Sequence, residues 1–403
     1  MTGTATQLIH HAYRPPGEFD APQVAVHKAS TVYFPDVAAL RTREWKQKEG
    51  YTYGLHGTPT TFVLEERIAS LEGGLQCLLA PSGLAAITLV DLALLKAGDE
   101  VLIPHNAYGP GLAFAQAELA AYGIAHRLYD AMDPEDLRAK LSERTRLVWL
   151  EAAGSVSMEF PDLQALLRAC RERPGALAVL DNTWGAGLAF DPFDLGEGLA
   201  VDVSVHALTK YPSGGGDVLM GSVVTRDEAL HLRLKLAHMR LGLGVGANDA
   251  ELVLRSLPSI DLRYRAHDES ARGLARWLRS RPEISAVLHP ALEGSPGHEH
   301  WRRICGARDR AAGLFSVVFG ADIPQAAIDR FCDGLRLFRI GFSWGGPVSL
   351  AVPYDMASMR HAGTARWPHA GGLVRFSVGL EATADLVEDL RRSLDAMHGA
   401  AAG

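Results

Sequence analysis

"DVSVHALTKYPSGGGD", residues 202–217, runs from a short apolar stretch into a single lysine, Lys210, and then into three consecutive glycines. The valines spaced along it predict a strand that ends just before the lysine. A lysine at that place is either a solvated charge closing a strand or an amine held where a carbonyl compound can reach it. Thr209, directly before it, adds a hydroxyl. Which reading holds depends on what the rest of the chain brings to the same edge of the fold.

Other apolar runs of similar length flank this one: "CLLA" (77–80), "EVLIP" (100–104), "AHRLY" (125–129), "RLVWLEA" (146–152), "LAVLD" (177–181) and "GSVVT" (221–225). Helical spacings lie between them, near 84–95, 110–122, 134–142 and 161–172. This alternation predicts an α/β fold whose mostly parallel strands are joined by crossover helices, an open sheet covered on both faces. Ligands bind beyond the carboxyl ends of strands in such sheets. That rule selects Ser82, Glu151, Asp181 and the segment before Lys210.

On either side the character of the chain changes. The first sixty or so residues are irregular and rich in Pro, Tyr and His, ending in "YTYGLHGTP", and read as an arm. "TPTTFVLEERIASLEGG" then has helical spacing and stops at Gly73–Gly74. From Asp227 helices dominate, with a long one near Leu262 to Ser280. "GLFSVVFG", "FRIGFSW" and "LVRFSVGLE" follow as strands, with helices at 324–334 and 383–397, a smaller α+β unit. The expected divisions are an arm over 1–57, a large domain over 58–254 and a C-terminal small domain over 255–403.

Composition narrows the function. A chain of 403 residues, 47% hydrophobic and 22% charged, is globular and too long for one small core. Its net charge of −7 is interleaved, with no basic stripe, so nucleic acid is not an expected partner. The N-terminus "MTGTATQLIHHAYRPPGEFD" lacks the pattern of a secretory signal, and the best apolar stretch, Leu84 to Leu95, is short and broken by Asp91. No membrane association is expected. Cys77, Cys170, Cys305 and Cys332 are too scattered for a zinc site or a disulfide framework, which suits a reducing cytoplasm. His298–Glu299–His300 has the wrong spacing for a helical ligand pair and reads as a solvated loop, so no metal is expected. "GLGVGA" (242–247) reads as a helix break, and the cluster around Trp367 and His369 as packing.

Two further pieces sit at expected strand ends. "APSGLAAITLVDLALL" places Ser82 and Gly83 where a strand turns into a helix, either an ordinary serine cap or an anion site made of free backbone N–H groups. "ALAVLDNTWGAG" ends a strand in Asp181, either a turn carboxylate or the partner of a heterocyclic nitrogen. A phosphate cradle, a carboxylate and an amine, in that order on one sheet, are what pyridoxal 5'-phosphate requires.

From about residue 50 to 395 the chain resembles the pyridoxal-phosphate enzymes of transsulfuration. The resemblance rests on "YTYGLHGTPTTFVLEERIASLEGG", "NAYGP", "LDNTWGAG", "LTKYPSGGGD", "FSWGG" and "LVRFSVGLE". "FSWGG" with "DNTWGAG" leans toward the beta-lyase branch. It implies the large and small domains of PLP-dependent transferases (fold type I), and a homotetramer built from catalytic dimers. The implied activity is β-elimination of L-cystathionine to homocysteine, pyruvate and ammonia, a step of methionine synthesis. The alternatives are a γ-acting relative, a cysteine desulfhydrase, and a catalytically silent regulator on the same fold.

Residue by residue, the resemblance makes Lys210 the Schiff-base lysine and Asp181 the partner of the pyridinium nitrogen. Tyr108 would stack on the cofactor ring, Gly83 and Leu84 would give N–H groups to the phosphate with help from Thr209, and Tyr53 would reach that phosphate from the neighbouring subunit. Arg375 would clamp the substrate carboxylate, with Ser343 and Trp344 shaping the pocket. An arginine in so apolar a strand needs an anion in any case, from an internal Asp or Glu or from substrate. Three places depart from the family: Leu55, followed by His56, stands where an arginine usually meets the phosphate; Pro347 and Val348 replace an aromatic and an acid; and Met239 falls near a usual tyrosine. Either His56 partly replaces the missing arginine across the subunit interface, or Leu55 merely packs and His56 faces solvent.

Overall fold

Each apolar run between residues 76 and 225 becomes a strand of one sheet: β1 (Gln76–Ala80), β2 (Glu100–Pro104), β3 (Ala125–Tyr129), β4 (Thr145–Glu151), β5 (Leu177–Asp181), β6 (Val203–His206) and β7 (Gly221–Thr225). The structure, a computed structural model, describes residues 3–11, 21–48, 50–359 and 367–399. The rest of the arm's opening stretch and the small-residue tail from 400 lie outside them. Strand order is β1-β7-β6-β5-β4-β2-β3. β2 and β4 are buried along nearly their whole length, as strands covered on both faces must be.

The sheet is mostly parallel, but β7 runs antiparallel to both β1 and β6. A parallel return needs a crossover of a dozen or more residues, usually a helix. Residues 207–220 hold none, only the turns around Lys210 and Gly214–Gly216. The chain therefore comes straight back, and the lysine sits at the crest of that return.

A second sheet, in the order β10-β11-β12-β9-β8, comprises β8 (Ile284–Leu288), β9 (Leu314–Phe319), β10 (Arg339–Ile340), β11 (Leu350–Tyr354) and β12 (Leu373–Ser377). The sequence reading omits β8 and β11. Pro353 hides β11, because proline argues against an interior strand. It is tolerated because β10 pairs with β11 only at Leu350 and Ala351, which leaves the β11 edge at Pro353 without that neighbour. "FRIGFSW" is strand only at Arg339–Ile340 and continues as a loop. His298–Glu299–His300 is not a loop: it opens the helix His298–Cys305, with His298 stacked on Trp301 and bonded to the Pro290 carbonyl. The expected break at Gly242 is present as a left-handed cap on the helix Glu228–Leu241.

One buried polar knot anchors the large sheet. Glu72, at the end of the helix Pro59–Glu72, accepts from Asn182 Nδ2 (2.8 Å) and Ser204 Oγ (2.7 Å) and meets His206 Nδ1 at 2.8 Å. All four residues are fully buried, so each polar group depends on the others for its hydrogen bonds. Glu72→Ala strands three buried groups and should cost about 3–5 kcal/mol, read as a lower urea midpoint. An unchanged midpoint would show that these groups find other partners.

Candidate active site

The carboxyl ends of β1, β2, β4, β5 and β6 converge on one cavity, whose walls include Gly83, Leu84, Tyr108, Glu151, Asp181, Thr209, Lys210 and Trp344. The strand-end rule thus brings together most of the residues singled out from sequence. Ser343 and Arg375 join through contacts with Lys210 and Trp344. Tyr53 does not: it lies half-exposed in the arm, beside His56 and Ser30.

Ser82 caps the helix Gly83–Leu94 by accepting from the Ala85 N–H at 3.0 Å. The first N–H groups of a helix have no internal partner, so those of Gly83 and Leu84 are left for the cavity that both residues line. Both sequence readings of Ser82 therefore hold together. A Cβ on Gly83 would come within 2.6 Å of the Ala207 Cβ, so only glycine fits against the segment carrying the lysine. Thr209 Oγ1 already donates to the Met220 carbonyl (3.2 Å) and accepts from the Met220 N–H (3.1 Å), which ties the lysine turn to the segment entering β7.

Lys210 Nζ donates to Ser343 Oγ at 2.8 Å and lies 4.6 Å from the centre of the Trp344 ring. Burial, and then Arg375, push its pKa down to about 8, against a raising pull from Asp181. Ser343 holds φ at +121°, costly for a residue with a side chain. Asp181 accepts from the Thr183 N–H at 3.0 Å, and burial raises its pKa. Glu151, its neighbour in register on β4, is pushed up to about 8 by burial and by the Asp181 charge. Arg375 is buried, donates Nη1 to the Ser155 carbonyl at 3.0 Å, and lies against the rings of Trp344 (5.3 Å) and Tyr354 (5.2 Å). Among the described residues no carboxylate pairs with it, and burial lowers its pKa.

Tyr354, Ser155 and the pairing role of Glu151 were not found from sequence. Tyr354 ends the strand that Pro353 disguised, and Ser155 follows a strand end with no motif of its own. His56 sits outside the cavity, bonded through Nδ1 to Thr52 Oγ1 (2.7 Å) and stacked on Trp45. Burial, then Lys235, Arg43 and His238, hold its pKa below the ordinary value, so within one chain it is not a strong cation.

Free N–H groups at a helix start, a wall where only glycine fits, an aromatic ring, a carboxylate and an amine of depressed pKa match the chemistry of pyridoxal 5'-phosphate. The site is that of a pyridoxal-phosphate enzyme. Residues 5–395 match the family described as Cys/Met metabolism PLP-dependent enzymes, and the chain belongs to it. It is 40% identical to cystathionine beta-lyase of Bordetella avium, over 91% of this chain and 90% of that one. It is 34% identical to cystathionine beta-lyase of Escherichia coli (strain K12), over 96% of each. The solved structure of cystathionine gamma synthase from Xanthomonas oryzae pv. oryzae, in complex with cystathionine, superposes with a TM-score of 0.87 at 32% identity, over 99% of both chains.

Only a neutral amine attacks an aldehyde. With a pKa of about 8, roughly a tenth of Lys210 is neutral at pH 7, against less than about one in a thousand at the usual lysine value. The rate at which apoprotein captures pyridoxal phosphate, followed by absorbance, should rise with pH through about 8 and then level off. A rate that keeps climbing to the ordinary lysine range would refute the depressed pKa.

Proposed function

We propose that this protein is a β-eliminating carbon–sulfur lyase acting on L-cystathionine and releasing homocysteine, pyruvate and ammonia. The observation that carries the amino-acid specificity is Arg375: a buried guanidinium without a carboxylate partner among the described residues, beside a lysine of depressed pKa. A substrate carboxylate supplies the missing anion through a bidentate pair. The names of the Bordetella and Escherichia relatives support β-cleavage of cystathionine over other chemistry.

When bound, pyridoxal phosphate supplies an aldehyde for the substrate amine and a ring that takes up the electrons of a broken Cα–H bond. The chain's own residues do the rest. The N–H groups of Gly83 and Leu84 would hold the phosphate, with Thr209, whose hydroxyl is engaged by Met220, alongside, and Tyr108 would lie against the ring. Asp181, as the charged carboxylate, would keep a proton on the ring nitrogen. Arg375 fixes the substrate carboxylate, which places Cα near Lys210 Nζ. Lys210, neutral in good part near pH 8, takes the Cα proton. Ser343 and the Trp344 face hold the amine in place. The Cβ–S bond then breaks with both electrons on sulfur, and hydrolysis of the remainder gives pyruvate and ammonia.

The same reading takes the protein as a cytoplasmic homotetramer of catalytic dimers, divided at residues 57 and 254, in which Tyr53 serves the neighbouring subunit's phosphate. That Tyr53 does not line its own chain's cavity supports that exchange. His56 and the buried Lys235 line one small cavity with Leu55 and Glu65, and burial lowers the pKa of both basic groups, which does not favour His56 as a stand-in for the missing arginine. Met239 lines that same small cavity, and the Pro347 carbonyl accepts from the Leu380 N–H.

Pyruvate, not 2-oxobutanoate, should form from cystathionine; 2-oxobutanoate would assign the protein to the γ-acting alternative. Lys210→Ala should remove both turnover and the visible band of the bound cofactor, and retention of both would sink the lysine assignment. Arg375→Lys keeps the charge but loses the bidentate fork. It should lower kcat/KM roughly ten- to hundredfold with cofactor content intact, as expected for one charged hydrogen bond of about 1.5–3 kcal/mol. Unchanged efficiency would place the carboxylate elsewhere.

A further inference from the structure

Glu151 belongs to none of the roles above, yet it touches both of the walls that the reaction needs. It is the last residue of β4, in register with Asp181 on β5, and it is buried. Its Oε2 accepts from the Tyr108 backbone N–H at 2.8 Å, at the point where Tyr108 starts its helix. Its Oε1 meets the Ser155 hydroxyl at 2.7 Å. Ser155 is also buried, and its carbonyl oxygen accepts from Arg375 Nη1 at 3.0 Å. One carboxyl group therefore stands between the segment bearing the cofactor-covering ring and the segment that holds the substrate-clamping guanidinium.

We infer that Glu151 is a positioning residue that acts as a neutral acid, fixing Tyr108 directly and Arg375 through Ser155. Two carboxylates side by side in one cavity do not both ionise readily. Burial raises the pKa of both, and both have donors, Thr183 for Asp181 and Ser155 with the Tyr108 N–H for Glu151. Asp181 alone has the attraction of His206 and Lys210, whereas Glu151 has the Asp181 charge against it. The proton therefore resides on Glu151. A protonated Glu151 still accepts from the Tyr108 N–H through one oxygen. Through the other, once protonated, it donates to Ser155 Oγ, reversing at the same 2.7 Å the bond that the Ser155 hydroxyl gives to an ionised Glu151. The Ser155 hydroxyl proton is then free to turn into the cavity that Ser155 lines. A glutamine has the same shape, the same acceptor and a donor in the same place, while an aspartate is one methylene too short to span both partners.

The inference rests on the proposed roles of Tyr108 and Arg375, so Arg375→Lys is assayed in parallel. Glu151→Ala should raise KM about tenfold or more with kcat within about threefold. It should also weaken pyridoxal phosphate binding by the apoprotein several-fold, measured by fluorescence titration without turnover. Glu151→Gln should recover most of both losses and Glu151→Asp should not. Ser155→Ala, which removes only the hydroxyl, should raise KM, and combining it with Glu151→Ala should add little, because both break the same chain of contacts. If Glu151→Ala does not fold, Ser155→Ala and Glu151→Gln carry the test alone. A Glu151→Gln protein that has lost substrate and cofactor affinity would overturn the inference, because charge would then be what matters. So would an unchanged KM in Ser155→Ala, or additive losses in the double variant. Should Arg375→Lys leave KM unchanged, the reading of the clamp fails first; should it raise KM while the Glu151 and Ser155 variants do not, only the positioning role fails.

Discussion

The backbone of Lys210 and Tyr211 is held by elements from beyond the large sheet, and the site depends on that grip. The fully buried Tyr211 accepts at its hydroxyl from the Gly313 N–H (2.9 Å), at the entry to β9. Its carbonyl accepts from Arg263 Nη1 at 2.7 Å. Arg263 also donates to the Ser256 carbonyl and hydroxyl and to the Ser259 hydroxyl, and burial brings its pKa down to about 10. On the other side Gly345, at φ +75°, packs so closely that a Cβ would come within 2.8 Å of the Tyr211 nitrogen. A turn with no crossover helix of its own is thereby made rigid by a guanidinium, a phenol and a glycine. The lysine it carries can then be placed to within the tolerance that proton transfer demands.

Placement and charge are coupled in this cavity. Burial and then Arg375 disfavour the ammonium of Lys210, and burial and then the Asp181 charge disfavour ionisation of Glu151. These opposing pressures separate groups of the same kind into distinct protonation states, so that one amine is available as a base and one carboxylate as a standing charge. Ser343 contributes at a conformational cost, since its backbone occupies a region that residues with side chains avoid. The closeness of Gly345 to Lys210 and Tyr211 leaves that loop few alternatives.

The large sheet was legible because each of its strands is short, apolar and bounded by turn residues, and because ligand sites follow strand ends. Ser82, Glu151, Asp181 and the segment before Lys210 could be placed on one edge from that rule alone, whereas Arg375, Ser343 and Trp344 needed the resemblance of their motifs. The antiparallel direction of β7 was not read, since direction depends on the absence of a helix between Ala207 and Met220 rather than on the strand itself. β11 was missed because Pro353 is forbidden only when its edge is paired, a fact of the sheet and not of the segment. The frame made by Glu151 and Ser155 was invisible for a related reason. Its partners lie 43 and 220 residues away along the chain, and no local pattern signals such a contact.

Arg375 lies at the centre of β12, paired to Val352 on one side and Ser316 on the other, so its anchor point cannot drift. Lys210 approaches from the other sheet. With Arg375 as the carboxylate clamp, a substrate α-carbon has its carboxylate fixed on one wall, its amine committed to the cofactor, and its hydrogen facing Nζ. Three attachments to a tetrahedral centre leave no freedom of hand. The mirror-image amino acid, seated by the same carboxylate and amine, would turn its side chain toward the lysine and its hydrogen away. On the proposed clamp, enantiomer selection would need no group dedicated to it, because the guanidinium is carried by one sheet and the amine by the other.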